Sequence, residues 1–124
     1  MLSICLPHTG SAVEVTVDYP GYIAGSALSP EGVRYVESLL ANMPRAKDYA
    51  AADLLDTYNE SWREAADPRL TQSEFTAKLQ LTALQVLDEP GAASAIFSDG
   101  EMFGGHAVVV DFEDSEPTYV MLFG

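Results

Sequence analysis

Four short apolar runs crowd the last third of the chain: LTALQVLD from Leu81, ASAIFSD from Ala93, HAVVVDF from His106 and TYVMLF from Thr118. Each alternates apolar and polar positions or is rich in β-branched and aromatic residues, the pattern of a strand. Glu89-Pro90-Gly91, Asp99 to Gly105 and Glu113 to Pro117 separate them. Connections this short favour sequential antiparallel pairing, a four-stranded meander.

Upstream, Ala12 to Asp18 (AVEVTVD) reads as another half-buried strand, with Ile4-Cys5-Leu6 as a partner strand and His8 to Ser11 as their turn. Tyr19-Pro20-Gly21-Tyr22 breaks regular structure. Ser29-Pro30-Glu31 starts a helix: a hydroxyl N-cap, a proline at the first helical position and an acid in the first turn. That helix is expected to end at Pro44. A second is expected from about Arg45 to Glu64, with Tyr49, Ala52, Leu55, Tyr58 and Trp62 along one face; Tyr58 and Trp62 are expected to pack as core between helix and sheet, the alternative being a partner-facing anchor. Thr71-Gln72-Ser73-Glu74 is a capping box for a third, short helix, with Leu70 and Phe75 placed as a hydrophobic staple.

Strands at both ends and helices between them predict an α+β fold. Its antiparallel sheet combines the meander with an N-terminal strand or hairpin, and two to three helices pack on one face. With 124 residues and no linker or repeat, the expectation is a single domain over 1–124. No apolar run reaches the roughly 20 residues that span a bilayer, and MLSICLPHTG lacks a basic n-region. One cysteine, Cys5, cannot form an internal disulfide and reads as a small buried or edge-strand residue. The expected compartment is the cytoplasm.

Charge is uneven. Residues 1–78 hold eleven acids and all six bases, a net of −5; residues 79–124 hold eight acids and no base, a net of −8. This field disfavours nucleic acid and anionic membranes and speeds encounter with a basic partner.

The stretch Phe97 to Val110 offers Asp99, Glu101 and His106 as metal ligands or as a hydrolase centre. Hard-ion loops need more oxygen ligands at regular spacing, and zinc needs more His or Cys than this chain carries. No nucleophile elbow, dinucleotide fingerprint or phosphate loop is present. The stretch therefore reads as a hairpin loop: Asp99-Gly100 is a turn dipeptide, and His106 is held by a backbone carbonyl or a neighbouring carboxylate. No catalytic residue, metal or cofactor is expected, and the chain reads as a non-enzyme.

Three segments together resemble a family of small bacterial domains of unknown function: Tyr58-Asn59-Glu60-Ser61-Trp62; the LT-x-x-EF-x-x-x-L-x-L helix over Leu70, Thr71, Glu74, Phe75, Leu79 and Leu81; and the F-x-DG-x-x-F-x-GH-x-V-x-V hairpin over Phe97, Asp99, Gly100, Phe103, Gly105, His106, Val108 and Val110. The resemblance runs from Tyr58 to Gly124, and residues 1–57 resemble no family. Trp62, Thr71, Glu74, Phe75, Asp99, Gly100, Phe103, Gly105 and His106 are its structural motif, and the shared pattern implies that Phe97 and Phe103 pack inward, that His106 fixes the strand entry and that the carboxylates stay outside. Its members look like immunity partners of secreted bacterial toxins. The resemblance therefore implies a protein that occludes the active surface of a cognate toxin with a basic cleft. The contacts expected from charge are Glu101, Glu113, Asp114 and Glu116, with Tyr22 as an exposed aromatic. The rival readings are a self-assembling interaction or regulatory domain, which includes a homodimer, and a metal-dependent hydrolase.

Overall fold

A computed structural model describes residues 2–8, 11–87 and 91–124. Strands β1 (Leu2–His8) and β2 (Ser11–Val17) form an antiparallel hairpin, with Ile4 opposite Val15. Thr9 and Gly10 of its expected turn lie outside the described residues. Pro20–Tyr22 makes one 3-10 turn, and Ile23–Ala24 (β3) pairs with Ala27–Leu28 (β4) as a small ribbon. Helices α1 (Pro30–Ala41) and α2 (Met43–Thr57) follow, the latter continuing into a π-helical turn over Tyr58–Trp62. After α3 (Gln72–Lys78) come β5 (Gln80–Val86), β6 (Ala92–Ser98), β7 (Ala107–Glu113) and β8 (Glu116–Phe123).

The architecture is α+β. One six-stranded sheet has the order β1-β2-β5-β6-β7-β8, so the last four strands are a meander. All pairings are antiparallel except β2 with β5, which is parallel. The exception follows from the helices: a chain that leaves β2, crosses three helices and returns beside it can re-enter in the same direction.

Side-chain alternation puts one apolar row across the whole sheet. Ile4 is opposite Val15, which is followed by Leu84, Ala95, Val110 and Val120. Adjacent rows align Val17, Val86, Ala93 and Phe112, and then Leu81, Phe97 and Val108. All of these residues but Ile4, which is partly buried and packs against them, form one buried cluster with Val36 and Leu39 of α1, Met43, Ala46, Ala50 and Leu54 of α2, and Phe75 of α3. The opposite sheet face carries exposed Cys5, Glu14, Gln85 and Tyr119. Cys5 is thus an exposed edge-strand thiol rather than a buried one. None of the described helices is long and apolar enough to cross a membrane.

Two helix expectations need correction. Pro44 does not stop α1, which ends at Ala41 and is capped by Asn42, whose backbone N–H donates to the Leu39 and Leu40 carbonyls. Pro44 opens α2, where a first-turn residue needs no donor. The buried face of α2 is Met43, Ala46, Ala50, Ala51 and Leu54, not the aromatic stripe. Alanines let the helix approach closely, and Tyr49 and Trp62 are left at the rim, both exposed. Tyr58 is buried, as expected for core. The α3 capping box forms in full: Thr71 Oγ1 accepts the Glu74 amide at 3.2 Å and Glu74 Oε1 accepts the Thr71 amide at 2.9 Å. Those bonds hold the exposed Glu74 carboxyl below the usual carboxylate range.

Candidate functional site

The loop between β6 and β7 is organised by one buried carboxylate. Asp99 is 3% exposed. Its Oδ1 accepts the Glu101 amide at 2.9 Å, and its Oδ2 accepts the amides of Phe103 at 2.9 Å and Gly105 at 3.1 Å. This corrects, for Asp99, the expectation that the carboxylates stay outside; Glu101 is exposed as expected. A carboxylate that collects three orphan amides offsets its own desolvation with charge-assisted hydrogen bonds. Gly100 and Glu101 both take positive φ, 59° and 67°.

The loop drives Phe103 into the core, where three rings meet it edge-on: Trp62 at 5.4 Å, Tyr58 at 5.9 Å and Phe75 at 6.2 Å. The π-helical turn, closed by Arg63 N–H to the Tyr58 carbonyl at 2.8 Å, aims Tyr58 and Trp62 at the same ring. His106 packs against Trp62 at 5.6 Å, and its Nδ1 meets the Phe103 carbonyl, the backbone role expected of it. Trp62 remains 42% exposed, so it is half core and half surface.

Asn59, buried beside Tyr58, was not singled out by sequence. Its Nδ2 donates to the Leu70 carbonyl at 3.0 Å and its Oδ1 accepts the Leu70 amide at 2.9 Å, pinning the segment before α3. The signal lay in a polar residue set between the aromatics Tyr58 and Trp62. Beside this corner a shallow cavity of about 290 Å³ is lined by Tyr58, Leu70, Lys78, Glu101 and Met102.

The expected contact acids do not form one patch. Glu101 sits in the β6–β7 loop, while Glu113, Asp114 and Glu116 sit at the far end of β7, about 20 Å away at ~3.4 Å per residue. There Asp114 and Ser115, at φ 51° and 68°, make a two-residue turn of the type whose twist suits a hairpin. The start of α2 straps it down: Asn42 Nδ2 donates to the Ser115 carbonyl at 2.7 Å, Arg45 Nη1 to Glu116 Oε1 at 2.8 Å, and the Tyr49 hydroxyl to the Thr118 carbonyl at 2.6 Å. Glu116 is therefore engaged within the chain, and it raises the Arg45 guanidinium above its ordinary value. Glu113 and Asp114 are exposed.

Tyr22 is not an exposed aromatic. It is buried and stacks on Tyr35 at 5.2 Å and 12°, because the 3-10 turn folds it under α1. Among the described residues, no three His, Cys, Asp or Glu side chains gather as a metal site would require. Asp99 and His106 share a loop, but both are spent on its backbone.

Neither a curated protein nor a solved structure matches the chain. The family match begins at Val33 in α1, well upstream of Tyr58 where the sequence resemblance began, and it leaves out β1 to β4. Over residues 33–119 the chain matches the family described as "Uncharacterized protein conserved in bacteria (DUF2262)", and it belongs to that family.

Proposed function

We propose that this chain is a small acidic binding protein, a single domain working in the cytoplasm, that neutralises a cognate bacterial toxin by occluding a basic active surface. The observation that carries this reading is uncompensated acidity on a strapped scaffold. Of six bases, Arg45 and Arg69 are paired with Glu116 and Glu60, and Arg63 donates to the Asn59 and Asp67 carbonyls. Glu101, Glu113 and Asp114 are exposed in the base-free part of the chain. Fixed surface carboxylates compete with phosphates for a basic cleft and accelerate encounter.

The test is to express the product of the adjacent reading frame alone and together with this chain. Toxicity alone, rescue on co-expression and a salt-sensitive complex support the reading. A harmless neighbour that forms no complex removes it.

A second reading, a self-assembling interaction domain, is favoured by one feature: Tyr119 and Phe123 of β8 are 57% and 69% exposed. Sedimentation that finds a monomer at all concentrations would dismiss it.

A further inference from the structure

The apolar row that crosses the sheet stops at Ile4, because β1 is the last strand and has β2 as its one neighbour. Bordering Ile4 and α1 there is a groove of about 470 Å³. Its walls are Ile4 of β1, Ala27 and Leu28 of the ribbon, and Val33, Val36 and Glu37 of α1. Val33 is 40% exposed there.

The two margins of the sheet are treated differently. At β8, Tyr49 covers the Thr118 carbonyl and Arg45 holds Glu116. Strand β1 reads LSICLPH, with no Lys, Arg, Asp or Glu. Edge strands are ordinarily blunted by charge, above all lysine, or by proline; the Leu2 to Cys5 part of β1 carries neither.

We propose that β1 and this groove accept an extended segment of a basic polypeptide partner by strand addition. The partner is the one inferred above, and the inference rests on that reading for its identity. A strand paired to β1 places the side chain opposite Ile4 about 5 Å away on the helix-facing side, inside the groove. Its alternate residues must therefore be apolar. The residues between them emerge on the open face beside Ser3 and Cys5. Cys5 is paired with exposed Glu14, so a lysine or arginine there extends over Cys5 toward that carboxylate. Glu37 stands at the groove wall on the other side. The recognised segment alternates apolar and basic residues, with main-chain hydrogen bonds supplying affinity and the groove supplying specificity. A second copy of this chain is a poorer occupant: it brings another −13, and its β1 has no cation to offer Glu14.

The probe is a short blocked peptide of alternating valine and lysine, titrated into the isotope-labelled full chain. Saturable binding, with slowed hydrogen exchange at β1 amides, is expected. A valine–glutamate peptide should bind at least about tenfold more weakly, and so should the lysine peptide to Val33→Glu, a difference of about 1.4 kcal/mol. N-methylation of alternate peptide amides should abolish binding. The proposal is overturned if the N-methylated peptide binds equally, if shifts spread over the acidic surface without β1 protection, or if β1 becomes protected without peptide as protein concentration rises. In co-expression, rescue by Val33→Glu equal to that by the parent chain would remove this interface and leave the toxin reading standing. A harmless neighbour would remove that reading while the peptide titration still decided whether the edge accepts a strand.

Discussion

Asp99 Oδ2 accepts the amide of Phe103 at 2.9 Å, and both residues are buried. The bond links the two halves of the FSDGEMFGGH stretch: a carboxylate that turns the chain, and an aromatic that the turn delivers to Tyr58, Trp62 and Phe75.

If that carboxylate organises the loop, its removal leaves the amides of Glu101, Phe103 and Gly105 without their acceptor. Asp99→Ala should cost roughly 3 kcal/mol or more in urea denaturation, and Asp99→Asn, which keeps one carbonyl oxygen, roughly 1–2 kcal/mol. A loss below about 0.5 kcal/mol for the alanine variant would show that water or the backbone takes over.

Tyr35 provides an alkaline test. Its hydroxyl oxygen is buried without a hydrogen-bond partner. Burial first, then the neighbouring Tyr22 and Asp114, pushes the phenol from 10.0 up to about 12. A folded value above the unfolded one means that its contribution is fully present below pH 10 and is lost as pH rises toward 12. Tyr35→Phe should therefore flatten the decline of stability between those values. Near neutrality the variant should be between equal to the parent and about 1 kcal/mol more stable, because an unsatisfied hydroxyl is removed. Parallel curves for the two proteins above pH 10 would contradict the assignment.

The elements with local chemistry were legible in sequence. Thr71 and Glu74 sit at the one spacing that caps reciprocally, and the runs from Leu81 onward have loops too short for anything but a meander. What was not legible depends on distant partners. The direction of β2 beside β5 is decided by the three helices between them. The phase of α2 is decided by the alanines that fit against the sheet, and periodicity alone gave the larger aromatics that role. Asp99 looked like a surface turn residue because its three amide donors become neighbours only when the loop closes. Tyr22 looked exposed because nothing local says that Tyr35, thirteen positions on, will cover it. The candidate contact acids follow from the base-free charge of the last third of the chain, and the length of β7 separates them.

Gly32 marks a close approach. A Cβ there would stand 2.6 Å from the Tyr22 carbonyl oxygen, which also accepts the Ser29 amide at 2.7 Å. Glycine inside a helix normally costs about 1 kcal/mol relative to alanine, so Gly32→Ala would stabilise an unconstrained helix. Here the backbone must move, and the variant should lose roughly 1–3 kcal/mol. Thermal denaturation that shows a gain would mean that the 3-10 turn yields easily and does not anchor α1.

Glu101 separates stability from binding. It holds φ 67°, a left-handed conformation that costs a residue with a Cβ roughly 1–2 kcal/mol. Glycine would relieve that cost, offset by its own roughly 0.5–1 kcal/mol of extra unfolded-chain entropy. Glu101→Gly should thus leave stability unchanged or raise it by about 1 kcal/mol. If the exposed carboxylate meets a basic cleft, the same variant should slow association with the toxin severalfold and weaken its dependence on salt. Asp114→Gly relieves a similar strain at φ 51° at the other end of β7, and comparing the two variants shows which end faces the partner. A loss of association confined to Glu101→Gly places the contact at the aromatic corner beside Trp62; a loss confined to Asp114→Gly places it at the β7–β8 turn. Unchanged association in both would remove these acids from the interface and leave the β1 margin as the surface to test.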